Sequence, residues 1–212
     1  MNHSVSLVHV TPDGDDLIAY MARVSNPKGQ LADGSKLIKY LIKHKHWSPF
    51  EMVNMCVEIN TTRSIASQLL RHRSFSFQEF SQRYADPNVL GDIQLPQLRK
   101  QDTKNRQNSI DNMKDFEKDI WDRMIDRHFK ESIGLYKSLI QDGIAKECAR
   151  EVLPMATNSK LYMNGTLRSW IHYVQLRSGN GTQKEHRLIA NQVDDLIEKN
   201  FPLVSEVLNE KR

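Results

Sequence analysis

Cysteine is scarce. The 212 residues contain only Cys56 and Cys148, far apart and with no CxxC pair, which excludes a disulfide framework and a thiolate zinc site. Long apolar runs are also missing. No stretch approaches the ~20 consecutive apolar residues of a membrane span, and the N-terminal MNHSVSLVHVTPDGDD lacks the apolar core of a secretory signal. A cytoplasmic location with no membrane partner is expected. There is no low-complexity tract, no internal repeat and no dominance of one charge: the net charge is +4, with 26% charged and 39% apolar residues, as in ordinary globular proteins. So mild a basic excess suits an anionic small ligand or a nucleic acid without choosing between them.

The pattern that remains is a single helix-rich α/β (α+β) domain over residues 1–212 with a small central sheet. Val5–Val10 is predicted as a strand, followed by a turn at Thr11-Pro12-Asp13-Gly14. Asp15 or Asp16 is placed to cap a helix through Val24 that ends at Asn26-Pro27. A second helix is predicted over Lys36–Lys45, with Leu37, Tyr40 and Leu41 on one face. Met52–Ile59 alternates, putting Val53, Met55, Val57 and Ile59 on one face of a strand. Thr62 or Ser64 opens a helix to about Arg71, and Phe75–Tyr84 reads as strand or ordered loop. Asp86–Thr103 is a connector. Asn105–Gln141 carries a long helical stripe through Ile110, Met113, Phe116, Ile120, Met124, Ile133, Tyr136 and Ile140, closed by Gly143. A short helix over Ala145–Leu153, a strand over Leu161–Met163 and a helix over Thr166–Leu176 follow. Beyond the Ser178-Gly179-Asn180-Gly181 turn, a last helix runs from a Thr182 cap to Asn200, with Ile189, Val193 and Leu196 inward.

The densest chemistry lies between Arg71 and Tyr84, RHRSFSFQEFSQRY. Arg71, His72, Arg73 and Arg83 are interleaved with Ser76, Gln78, Glu79 and Ser81. Arginine forks bind phosphate or a carbonyl edge, a glutamate accepts from a ribose hydroxyl or an imide N–H, and a serine completes a phosphate cradle. The plain alternative is a solvated basic face paired with Glu79. The aromatics Phe75, Phe77, Phe80 and Tyr84 count against it, because they suggest polar groups held on a packed wall.

Arg-His-Arg, seven residues and then Ser81, with Glu79, Arg83 and Tyr84 in step, resembles the signature of flavin-dependent thymidylate synthases. Further segments match in order. Ala22-Arg23-Val24-Ser25 resembles the early ARVS segment, and His46-Trp47-Ser48-Pro49-Phe50-Glu51 the H-x-[ST]-P-F-E segment. Gln68 stands three before Arg71, Ala149–Pro154 resembles AR-x-x-LP, and Arg168, His172, Leu176-Arg177, Gln183 and Glu185 complete the series. The resemblance spans Ala22 to Glu185.

The resemblance implies conversion of dUMP to dTMP in dTMP and dTTP biosynthesis. FAD carries the chemistry, with NADPH as reductant, 5,10-methylenetetrahydrofolate as one-carbon donor and no cysteine nucleophile. It places Gln68, Arg71, Glu79, Ser81, Gln82, Arg83, Arg150 and Arg177 around dUMP, with Arg177 against the pyrimidine carbonyl as the catalytic cation. It places Ser25, His46, Ser48, Glu51, His72, Arg73, Ser74, Gln78, Arg168 and His172 around FAD. It also implies a homotetramer with sites shared between subunits, and no nucleic-acid partner. The chain departs from the pattern at four positions. Gln78 stands where many members have Asn and Ser48 where many have Thr. Gln82 replaces a common Gly, leaving its backbone N–H as a phosphate contact, and Gly181 replaces a common His.

Other readings of single residues are weaker. Ser81 has no acid–base partner fixed beside it, so phosphate binding is simpler than a nucleophile role. Cys56 and Cys148 read as buried structural thiols. His44 and His46 face different ways and have no carboxylate or cysteine to complete a metal site, so no metal is expected. His72, beside arginines, is expected to be neutral at pH 7. Two competing functions remain at the level of sequence. One is a single-stranded nucleic-acid binding module using the basic and aromatic residues. The other is a different nucleotide reaction on the same scaffold, such as methylation of uracil in RNA.

Overall fold

The computed structural model describes residues 3–209. Four antiparallel strands form the main sheet, in the order β1-β2-β6-β3. They are β1 (Ser4–Val10), β2 (Asn54–Thr62), β6 (Asn158–Thr166) and β3 (Ser76–Glu79). A small hairpin pairs β4 (Lys100–Gln101) with β5 (Ser109–Ile110). The helices are α1 (Gly14–Ala22), α2 (Ser35–Lys43), α3 (Arg63–Leu69), α4 (Asp115–Gln141), α5 (Lys146–Ala149), α6 (Leu167–Arg177), α7 (Lys184–Asn200) and α8 (Pro202–Asn209). The helix-rich α+β architecture with a small central sheet is therefore as expected.

The sheet has two unlike faces. Val57, Ile59, Leu161 and Met163 are fully buried beneath α6 and α7, where Trp170, Tyr173, Ile189 and Val193 pack. The opposite face is polar: Glu58 accepts from Tyr162 Oη at 3.0 Å and from Asn60 at 3.1 Å, and pairs with Lys160 at 3.1 Å. Among the described residues no helix is long and apolar enough to cross a membrane.

Several boundaries differ from the sequence expectation. The first helix begins at Gly14, so Asp15 and Asp16 lie in its first turn and Asp13 takes the cap position. On α2 the buried face is Ile38, Leu41 and Ile42, and Tyr40 is exposed. The long helix starts at Asp115, not Asn105, because residues 109–110 pair as β5 and a capping box between Lys114 and Glu117 opens α4. Most of its apolar stripe is uncovered: only Phe129, Ser132 and Tyr136 are buried along it. Gly143, at φ 79, ends the turn after it as expected. Strand β6 is three times the length read from Leu161–Met163, because its inward positions include Ser159 and Gly165, which carry no apolar signal. A further helix, α8, follows Asn200; its Val204, Val207 and Leu208 complete the core.

Two backbone details shape the site. A Cβ on Gly165 would meet the Phe75 ring at 2.4 Å, so glycine here lets the Arg71–Tyr84 segment lie flat on β6. Lys45 has φ 59, in the left-handed region. It ends α2 in a Schellman arrangement, with His46 N donating to Leu41 O at 2.9 Å and Lys45 N to Ile42 O at 3.3 Å. Glycine is the usual residue in that position, and a side chain there costs about 1–2 kcal/mol.

Candidate active site

The chain after α3 folds in two tight turns, with His72 N donating to Leu69 O and Phe75 N to His72 O. These turns point His72 and Phe75 inward and leave Arg71, Arg73 and Ser74 exposed. Phe75 packs edge-on against Trp170 with centroids 4.5 Å apart, and His72 against Tyr173 at 5.0 Å. His186, in the first turn of α7, adds a fifth ring to this wall, 5.8 Å from Tyr173 and 6.1 Å from His72. Trp170 Nε1 donates to Met55 O at 2.9 Å and ties the wall to the sheet.

Polar groups converge at the edge of this aromatic wall. Arg177 Nε donates to His72 Nε2 at 3.0 Å, which requires an unprotonated Nε2. Burial first, then Arg177, His172 and Arg71, lower the His72 pKa to about 4. Burial, Arg177 and His72 likewise lower His186 to about 3. Gln68 Nε2 donates to Gln183 at 2.8 Å, which turns Gln68 Oε1 toward His186 Nδ1, 3.2 Å away. Gln183 in turn donates to Glu185 at 2.9 Å, and Arg99 pairs with Glu185 at 2.7 Å. Burial alone would raise the Glu185 pKa, but the hydrogen bonds from Arg99 and Gln183 outweigh it and the carboxyl stays below its ordinary value. Among the described residues, Tyr173 Oη and His186 Nε2 are buried without a hydrogen-bond partner.

On the other side of the His72 turn lies a cleft of about 560 Å³, lined among others by Trp47, Glu51, Ser74, Arg168 and His172. Glu51 and Arg168 form an ion pair across it, and Ser169 Oγ donates to Ser74 O. Cationic and hydroxyl donors beside an indole fit a ligand that carries phosphate, polyol and ring together, as FAD does. Among the described residues no His, Cys, Asp and Glu side chains converge on a metal position.

Beyond β3 the segment turns toward α5. Arg83 pairs with Glu147 at 3.3 Å, Lys146 donates to Tyr84 O at 3.0 Å, and Arg150 follows in the same short helical stretch. Glu79 is held by Arg63 at 2.6 Å and by Ser159 at 2.8 Å. Gln82 is buried, with Nε2 unpartnered.

A model of the family described as thymidylate synthase complementing protein matches residues 6–203. The chain is 48% identical over 197 residues to a probable flavin-dependent thymidylate synthase of Paramecium bursaria Chlorella virus 1, covering 92% of this chain and 90% of the relative. It is 47% identical over 199 residues to the flavin-dependent thymidylate synthase of a Synechocystis species, covering 94% and 90%. The chain belongs to the flavin-dependent thymidylate synthase family. In three dimensions it resembles the UMP/dUMP methylase PolB of Streptomyces cacaoi bound with 5-Br dUMP, with TM-score 0.86, 26% identity, and 98% of this chain and 95% of that one covered.

Of the residues the family motifs assign to flavin, Glu51, Ser74, Arg168 and His172 share the cleft. His72 sits in the adjoining wall and Arg73 is exposed beside it. His46 stacks in an exposed cluster with Tyr40 and His44, Gln78 lies on the polar face of β3, and Ser25 and Ser48 are exposed. The residues the motifs assign to dUMP fall into two groups. Gln68 and Arg177 adjoin the aromatic wall, with Arg71 on the exposed side of the His72 turn, while Ser81, Arg83 and Arg150 gather near α5. The four-residue β3, about 13 Å long, lies between them. The aromatic expectation holds for Phe75 and Phe77, which pack on the core, but not for Tyr84, which is 81% exposed. Cys148 is exposed rather than buried, because short α5 lies on the surface; Cys56 is buried, and burial raises its thiol pKa.

Sequence reading missed His186, Tyr173 and Arg99. A histidine in a helix and a tyrosine among apolar residues carry no motif, and only the packing of α7 on α6 joins them to Gln68 and His72. His186 leads to a pH prediction. The unfolded chain takes up a proton near pH 6.5, whereas the folded imidazole resists until about 3. The contribution of His186 to stability is therefore constant above about pH 6.5 and falls as pH drops below it, by about 1.4 kcal/mol per pH unit. In urea melts from pH 7 to pH 5, His186→Gln should flatten that decline. Equal slopes for variant and wild type would show that His186 titrates normally in the folded protein.

Proposed function

We propose that this protein converts dUMP to dTMP in the cytoplasm, with 5,10-methylenetetrahydrofolate as the one-carbon donor and NADPH as reductant of bound FAD. The observation that carries the reading is the pairing of Arg177 with a neutral His72 on the wall that also holds Gln68. It leaves a permanent cation, undiminished by a carboxylate, where the motifs put the pyrimidine carbonyl. Arg177 would stabilise negative charge there as C5 of the pyrimidine becomes nucleophilic. Arg71, Ser81, Arg83 and Arg150 would hold the phosphate and sugar. Glu51, Ser74, Arg168 and His172 would hold FAD, which supplies hydride when bound. Buried Cys56, with its raised pKa, is a poor nucleophile.

Two features support a homotetramer with shared sites. The residues the motifs assign to dUMP lie toward opposite ends of β3, an arrangement that suits a site completed by a second copy. In addition, α4 exposes Phe116, Ile120, Trp121 and Met124 at helical spacing, an apolar stripe that suits burial against another copy.

Purified protein should show flavin absorbance, perturbed by dUMP, and should form dTMP only with dUMP, methylenetetrahydrofolate and NADPH together. The Cys56→Ser/Cys148→Ser double variant should still turn over. Absence of flavin uptake under all these conditions would overturn the reading. A second reading, UMP as the better substrate, is favoured by likeness to PolB bound with 5-Br UMP, at 28% identity and TM-score 0.86. Parallel assays with UMP and dUMP decide between them, and the 47–48% identity to thymidylate synthases favours dUMP.

A further inference from the structure

We propose that Lys45 is a phosphate-binding residue at the rim of the cleft formed by Trp47, Glu51, Ser74, Arg168 and His172. The inference rests on the flavin reading of that cleft and adds a residue that none of the family motifs above includes. Lys45 occupies the left-handed position that ends α2, where the hydrogen bonds of the Schellman arrangement require only a backbone N–H. Glycine would satisfy the same bonds without strain. The helix dipole does not account for the lysine, since Lys43 already supplies a cation in the last turn.

Lys45 nevertheless lines the cleft. Its only carboxylate there, Glu51, is engaged by Arg168, and among the described residues Lys45 forms no ion pair. With Arg168 and Glu51 cancelling, Lys45 is the uncompensated permanent charge of the cleft. A cation kept at a backbone cost, with no ion pair among the described residues, beside serine and histidine donors, suits an anionic group arriving with a ligand. Phosphate is that group in both FAD and NADPH, and the test separates the two sources.

The experiment compares wild type, Lys45→Gly and Lys45→Arg as full-length protein. Thermal melts are recorded without ligand, and FAD, riboflavin and NADPH are titrated by equilibrium dialysis. Lys45→Gly should melt about 2–4 °C higher, since its backbone is relieved. It should bind a phosphate-bearing ligand about tenfold more weakly. Lys45→Arg should match wild type in both respects. A loss for FAD with riboflavin unchanged assigns the contact to the flavin's pyrophosphate, and a loss for NADPH alone assigns it to the nicotinamide dinucleotide. If wild type binds flavin but Lys45→Gly binds FAD and NADPH equally well, or loses riboflavin as much as FAD, Lys45 is not a phosphate ligand. Failure of wild type to bind any flavin would instead strike the proposed function itself.

Discussion

Arg177→Ala should lower kcat by about 10²–10³-fold, the range seen when one preorganised charge-stabilising donor is removed. The KM for dUMP should change far less, because the cation matters most once the pyrimidine turns anionic. The geometry gives a reason for a loss larger than that of one surface charge. Arg177 Nε is occupied by His72 at 3.0 Å, which fixes the plane of the guanidinium and leaves its remaining N–H groups to face a ligand. Arg177→Lys would restore charge but not the fork, and should recover only part of the rate. Its pH profile is informative as well. His72 is kept neutral by burial first and by Arg177 second, so removing the arginine should raise the His72 pKa. A drop in affinity with kcat intact would place Arg177 in simple binding and remove it from the chemistry.

How much of this could be read from the chain depends on where the physical signal lies. The Arg71–Tyr84 segment was legible because its function is written in adjacent residues, and Val53, Met55, Val57 and Ile59 because their alternation matches the pleat. Strand β6 was mostly hidden, since Ser159 and Gly165 face inward without being apolar, and Gly165 is small because Phe75 lies over it. The start of α4 was misplaced for the opposite reason. Ile110 and Met113 continue the helical apolar spacing, yet the chain there pairs as a hairpin strand and then turns at the Lys114–Glu117 cap. The cluster of His72, Tyr173 and His186 lay out of reach, because its members are 101 and 13 residues apart along the chain (72 to 173, 173 to 186) and meet only when α7 packs on α6.

The largest effect on stability is expected at Trp170. Its side chain is fully buried, and Trp170→Ala should cost about 3–5 kcal/mol from the cavity alone. The change also removes the indole donor to Met55 O, a buried bond from α6 to β2, so the loss should fall at the upper end of that range. Such a cost is a large share of the roughly 5–15 kcal/mol that holds a domain folded. Trp170→Phe weights the hydrogen bond over the packing, since it deletes the donor and keeps most of the ring contacts; its cost should be about 1–3 kcal/mol. The same residue couples stability to function. Phe75 lies between Gly165 and Trp170, and His72 opens the turn that Phe75 closes. Trp170→Phe should therefore weaken flavin binding in protein that remains folded, whereas a mutation of similar cost on the far side of the core, such as Val204→Ala in α8, should not. Urea midpoints and FAD titrations on these variants test the coupling. Equal flavin affinity in Trp170→Phe and wild type would mean that the aromatic wall supports the fold without positioning the site.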